Sequence, residues 1–344
     1  MQDVQWKSLP KILLHEHLDG GLRPPTLLEL CRQHNVTTPA NTADDLAAWL
    51  LANSNSGSLE RYLTGFGLTV AAMASEAACE RVAFEAAEDA LVDGCVLAEF
   101  RIAPLLLEAH GMSGEAVVEA LLRGLKKSAL PCGLIVCAMR TDVPTRTAQS
   151  ARLAARYRDH GVIGFDLAGA ERGFPPTPHL EAINVARDAG LGITLHAGEA
   201  DDGSRVLEAA ALGATRIGHG VNIMNAPDAT QQRAWIDEAR RLNLHFEVCI
   251  TSNVHTATTP SVAAHPLRAM FEAGLSVSVS TDNRLMSGVT LVNELRAAHE
   301  QNGVTLAALG QMMHEAARAS FLPTAARTAA LLALNDWSNI SAAT

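Results

Sequence analysis

The chain has 344 residues, a formal net charge of −10 and 48% apolar residues. That length allows a large core in one domain or two, while the acidic balance excludes a nucleic-acid scaffold, which needs a basic face to meet phosphates. No apolar run reaches membrane-spanning length, the first ten residues hold no hydrophobic signal segment and the six cysteines form no C-x-x-C pair, so a cytoplasmic globular protein with small core cysteines is expected.

In chain order, the first β-rich run covers residues 11–14 and closes on His15-Glu16-His17. About eighty residues then separate it from the next strand, far more than a βα unit requires. Within that interval 24–34, 43–51, 59–70 and 76–93 read as helices, with Asn53-Ser-Asn-Ser-Gly-Ser58 as a flexible polar connection. This helical insertion, about 24–93, serves equally well as a lid over the catalytic end or as padding outside it. Further strands are expected over 95–102, 133–138, 162–167, 191–195, 215–217, 244–248 and 275–280. Alanine-rich amphipathic stretches lie between most of them, such as 180–189, 229–241 and 262–273, with Gly190 and Gly274 as stop signals. Eight strand–helix alternations predict a single (β/α)8 TIM barrel over 1–344. A doubly wound sheet is the rival, but no G-x-G-x-x-G follows a first strand. The tail over 335–344 reads as loosely held.

Polar groups gather where these runs end. His15 and His17 are two apart, so an extended strand sends both side chains from one face. A lone H-x-H arises by chance, and it is not the helical H-E-x-x-H motif; Leu18-Asp19-Gly20-Gly21 adds a carboxylate and a turn beside it. His196 ends a strand and is followed by Ala197-Gly198-Glu199. His219 lies between Gly218 and Gly220, and Asp282 follows Ser-Val-Ser-Val-Ser-Thr. Each has a plainer reading: surface histidines, a core histidine bonded to backbone, a glycine turn, a helix cap. Their joint placement at the C-terminal ends of different barrel strands argues for a catalytic centre, and imidazoles with a carboxylate suit zinc. His34, His110, His160, His179, His265, His299 and His314 read as solvated surface residues, and His245 and His255, around the seventh strand, as packing groups, with support of the site from behind as the alternative.

Ser8-Leu-Pro-Lys-Ile-Leu-Leu-His-Glu-His-Leu-Asp-Gly-Gly-Leu-Arg-Pro resembles the opening motif of the adenosine deaminase family of the amidohydrolase superfamily. Phe165-Asp-Leu-Ala-Gly-Ala-Glu171, Leu195-His-Ala-Gly-Glu199, Gly218-His-Gly220 and Ser280-Thr-Asp-Asn283 are similar to its later blocks, in the same order. The resemblance implies a (β/α)8 barrel that deaminates adenosine and 2′-deoxyadenosine with one Zn2+ per chain. It implies that His15, His17, His196 and Asp282 hold the zinc and leave room for a water. Glu199 would then protonate purine N1, and His219 would orient and deprotonate the water. Gly169 would meet the purine edge, Asp19 a ribose hydroxyl and Asn283 purine N7, with His17 beside the substrate. The family usually carries aspartate where this chain has Asn283, and often Cys-Pro where this chain has Cys249-Ile250. Another 6-aminopurine nucleoside, such as aminofutalosine, is the alternative substrate, and a catalytically silent binding protein is the alternative of another class. The expected partner is a small purine nucleoside, with neither nucleic acid nor membrane; oligomeric state is not legible.

Overall fold

The computed structural model describes residues 3–335 and 337; the tail expected to be loosely held lies, beyond Asn335 and Trp337, outside the described residues. Among them are eight strands, β1 (Lys11–His17), β2 (Cys95–Ile102), β3 (Cys132–Met139), β4 (Val162–Ala168), β5 (Gly192–Ala197), β6 (Arg216–His219), β7 (His245–Val248) and β8 (Ser276–Val279). Each is parallel to the next in chain order. An isolated bridge between Glu16 and Asp282 closes the seam. There His17 N–H donates to the Asp282 carbonyl at 2.9 Å and Asp282 N–H to the His15 carbonyl at 3.0 Å. The stitch that shuts the barrel therefore also brings Asp282 beside the two histidines of β1.

The strands alternate with period two. Phe100, Phe165 and Phe246 are fully buried, each contributing about 1.5–3 kcal/mol of hydrophobic stabilisation. Their neighbours Arg101, Asp166 and Glu247 meet one another across the barrel. Arg101 Nη1 donates to Asp166 Oδ2 at 2.9 Å and Nη2 to Glu247 Oε2 at 2.5 Å. Arg216 adds Nε to Glu247 Oε1 at 2.6 Å and Nη1 to Glu99 Oε2 at 2.7 Å. Buried ions persist only when paired and hydrogen-bonded on several sides, as these are.

Between β1 and β2 come the helices Pro24–Gln33, Ala43–Ser54, Leu59–Leu63, Phe66–Ala72 and Glu76–Val92. The helix expected over 59–70 is thus two, interrupted at Thr64-Gly65, where glycine weakens helical continuity. The 53–58 connection is more tightly held than its composition suggests: the preceding helix runs on to a buried Ser54, and Gly57 N–H donates to the His255 carbonyl at 3.0 Å. The helix expected over 262–273 shrinks to Leu267–Glu272, because Pro266 disfavours helical backbone at His265. Gly190 and Gly274, at φ +79° and +77°, adopt the left-handed conformation just past helix ends. No helix among the described residues is long and apolar enough to cross a membrane.

Candidate metal centre and active site

His15, His17, His196 and Asp282 converge at the C-terminal mouth of the barrel, each offering a ligand atom within 4.8 Å of the others. His17 Nε2 lies 3.4 Å from His196 Nε2. Asp282 Oδ1 lies 3.5 Å from the Nε2 atoms of both His15 and His17. The groups behind two of these rings decide which nitrogen is free. His15 Nδ1–H donates to Glu247 Oε2 at 2.8 Å, and His196 Nδ1–H donates to Asp166 Oδ2 at 2.9 Å. Burial pushes both acids up, but Arg101 and Arg216 outweigh it at Glu247, and His196 and Arg101 at Asp166; both stay well below the usual carboxylate range. An ionised carboxylate only accepts, so each ring carries its proton on Nδ1 and turns a bare Nε2 to the centre. His15 Nε2 is buried without a hydrogen-bond partner. Burial, partly offset by the charge of Asp282 at His17 and of Asp166 at His196, lowers the pKa of both rings and favours their neutral forms. Ser252 Oγ donates to Asp282 Oδ2 at 2.6 Å, leaving Oδ1 for the centre. Three imidazoles and one carboxylate, with two of the rings oriented by carboxylates behind them, fit a zinc ion.

Glu199 follows β5 on a loop held by several side chains, among them Asn222, whose Nδ2 donates to the Glu199 and Asp201 carbonyls at 2.7 and 2.9 Å. The Glu171 carboxylate accepts N–H bonds from Gly198, Glu199, Ala200 and Asp201 at 2.6, 2.9, 2.7 and 3.1 Å. Burial, then the charges of Asp282 and Glu171, raises the Glu199 pKa well above the ordinary value, which favours the protonated carboxyl. His219 ends β6 at φ +62° and sets Nε2 3.6 Å from Glu199 Oε2.

His17, Asp19, Gly169, His196, Glu199, His219, Asp282 and Asn283 line one cavity of about 280 Å³. Its apolar wall includes Leu106 and Met139, together with Leu59, Tyr62, Phe66 and Val70 from the helices after β1; no lysine or arginine among the described residues lines it. The inserted helices therefore contribute to the cavity rather than merely padding the barrel. Burial raises the pKa of Asp19 to about 7. Asp19 Oδ1 and Asn283 Oδ1 are buried without hydrogen-bond partners. Gly169 has φ +93°, and a side chain there would meet Met139 Cε at 2.9 Å, so that position requires glycine. Neither Asp282 nor Asn283 is a helix cap through its side chain: Asn283 occupies the N-cap of Arg284–Ser287 without a side-chain cap bond.

Two histidines expected on the surface are buried. His179 Nε2 bonds the Arg140 carbonyl at 3.1 Å, and His265 joins a chain that ends at His219. His34, His299 and His314 are half-buried, whereas His110 is exposed at the cavity rim. His245, as expected, packs away from the site, bonded to Ser276 and Ser278. Sequence reasoning missed Asp166, Glu247, Arg101, Arg216, Glu171 and Asn253. A signal existed for the first four: charges inside otherwise apolar strand runs must find partners across the barrel.

Residues 10–337 match a family model described as adenosine deaminase. The adenosine deaminase of Mycobacterium sp. (strain JLS) is 42% identical over 330 residues, 91% of each chain. That of Mycobacterium avium (strain 104) is 40% identical over 339 residues, 93% of this chain and 92% of the relative. Among solved structures, an Arabidopsis N6-mAMP deaminase superposes with a TM-score of 0.84 at 24% identity, covering 97% of this chain and 99% of that one. A Burkholderia ambifaria amidohydrolase with bound Zn gives 0.87 at 22%, covering 99% and 94%. These structures share the fold.

Proposed function

The chain belongs to the adenosine deaminase family and its reaction is the hydrolytic deamination of adenosine; from that premise we propose how its residues divide the work, and that 2′-deoxyadenosine is also a substrate. Water adds at C6, the C6–N6 bond breaks, and the nucleoside leaves as inosine or deoxyinosine with ammonia. Zinc, one ion per chain, would be held by His15, His17, His196 and Asp282, and when bound supplies Lewis acidity that makes water a nucleophile near neutral pH.

Glu199 hands its proton to purine N1, which takes up the negative charge that attack pushes into the ring. Its burial opposite the histidine–aspartate cluster is the observation that carries this reading. Glu171 holds the loop that aims it. His219 orients the attacking oxygen. The Gly169 backbone meets the purine edge, Asn283 donates to N7, and Asp19, with an unpartnered buried oxygen, receives a ribose hydroxyl. His17 packs beside the base. The inserted helices over residues 24–93, part of one catalytic domain, cover the nucleoside and exclude water. A cavity without lysine or arginine favours a nucleoside over a nucleotide, because nothing in it neutralises a phosphate. Six unpaired cysteines suit a cytoplasmic setting.

Ammonia release from the zinc-loaded enzyme, with adenosine, deoxyadenosine, aminofutalosine, methylthioadenosine, adenine and AMP in parallel, tests the substrate assignment. Adenosine and deoxyadenosine should give the highest kcat/KM. A clear preference for AMP, adenine or aminofutalosine would overturn it.

A further inference from the structure

Behind His219 stands an uncharged chain of partners instead of a carboxylate. Asn253, on the helix Ile250–His255, is fully buried, and its Nδ2 lies 3.0 Å from His219 Nδ1. Its Oδ1 lies 3.2 Å from Nε2 of the buried His265. His265 Nδ1 in turn accepts the Leu267 backbone N–H at 3.1 Å. That last bond sets the direction of the rest. A backbone amide only donates, so Nδ1 of His265 is an acceptor, and the single proton of the neutral ring sits on Nε2. Nε2–H donates to Asn253 Oδ1, which orients the amide and turns Nδ2–H toward His219. Flipping the amide would set two donors against each other. Burial pushes the His265 pKa down to about 3, so the ring is neutral at working pH.

We propose that Asn253 and His265 are positioning residues that hold neutral His219 with its proton on Nε2, facing the cavity, so that it meets the attacking oxygen as a hydrogen-bond donor. In this tautomer Nε2 has no lone pair with which to take a proton from water. The ring instead holds one lone pair of that oxygen and leaves another for C6. The base role expected from sequence therefore does not belong to His219: of the water's two protons, one passes to the Asp282 carboxylate, whose Oδ1 faces the centre, and leaves on N6 with the ammonia, and the other returns to Glu199 as C6 becomes a carbonyl. The inference rests on the deaminase reading for what the donor meets, but the position of the proton can be measured without any turnover.

The test uses zinc-loaded protein with 15N-labelled histidine and long-range 1H–15N correlation, His219 being assigned by its loss in His219→Gln. The His219 pattern should be that of a protonated Nε2 and a bare Nδ1. Asn253→Asp replaces the amide donor by an acceptor: the pattern should reverse, and kcat should fall by about 10²–10³-fold, the span for losing one oriented donor, with zinc content kept. His265→Gln, whose amide can still donate to Asn253, should keep the parent pattern and most of the rate. A parent ring protonated on Nδ1 would overturn the proposal. So would an Asn253→Asp enzyme that turns over as fast as the parent or faster, since a carboxylate behind the ring strengthens a base. If Asn253→Asp does not fold, the parent spectrum alone decides. Should the parent release no ammonia from adenosine yet show Nε2 protonated, the deaminase reading fails while the relay stands.

Discussion

Two sets of buried histidines share the mouth of this barrel and are supported in opposite ways. His15 and His196 back onto the ionised carboxylates Glu247 and Asp166, themselves anchored by Arg101 and Arg216. His219 backs onto an amide whose direction is fixed by a neutral histidine and one backbone N–H. A carboxylate draws the proton to Nδ1 and frees Nε2 as a metal ligand; an amide donor leaves it on Nε2. On the proposed roles, the same side chain serves as a ligand or a donor according to the atom behind it. The supports also differ in cost. The ligand side is a network of buried ions, in which losing one partner strands another, whereas the donor side is neutral throughout.

The largest expected effect separates the two sides outright. His17→Ala should lose the zinc and with it all measurable ammonia release, because four protein ligands fall to three, while His219→Ala keeps most of the metal and loses rate. Equal zinc content in both variants, by mass spectrometry of the purified proteins, would remove His17 from the ligand set. Next, Glu199→Gln should keep the metal and lower kcat by roughly 10²–10⁴-fold, because the amide keeps the shape but cannot pass a proton to N1. Near-normal turnover would take Glu199 out of the mechanism. Asp166→Asn sharpens the comparison from the ligand side. Losing the charge behind His196 should weaken zinc binding by about 10–100-fold in a competition with a chelator; unchanged affinity would mean that the carboxylate does not prepare the ligand.

Most of the architecture was legible beforehand for a physical reason. Parallel barrel strands are buried on both faces, so they read as apolar runs, and polar groups stand out where those runs end. His15, His17, His196, Glu199, His219 and Asp282 were visible on that account, as were all eight strands. The support of the site was not, because its partners lie far apart in the chain. Arg101 reaches Glu247 across 146 positions, and no local pattern couples them. His265 looked like a surface residue because its stretch read as a helix; Pro266 breaks that helix and turns the ring inward beneath Asn253.

The smallest effect concerns the substrate edge. Purine N7 only accepts, so Asn283 can serve where aspartate would need a proton. Replacing N7 by carbon in 7-deazaadenosine strands a buried donor at about 1–3 kcal/mol, hence a fall in kcat/KM of roughly one to two orders of magnitude. Asn283→Ala should lose adenosine activity and much of that discrimination, which also separates the contact from the electronic effect of N7 on C6. A variant that discriminates as strongly as the parent would refute the contact.

The contrast between the two supports is tested most directly by neutron diffraction from a deuterium-exchanged crystal of the zinc-loaded enzyme. Deuterium should lie on Nδ1 of His15 and His196, with their Nε2 atoms bare, and on Nε2 of His219, with its Nδ1 bare. Deuterium on Nδ1 of His219, or the same pattern on all three rings, would contradict it.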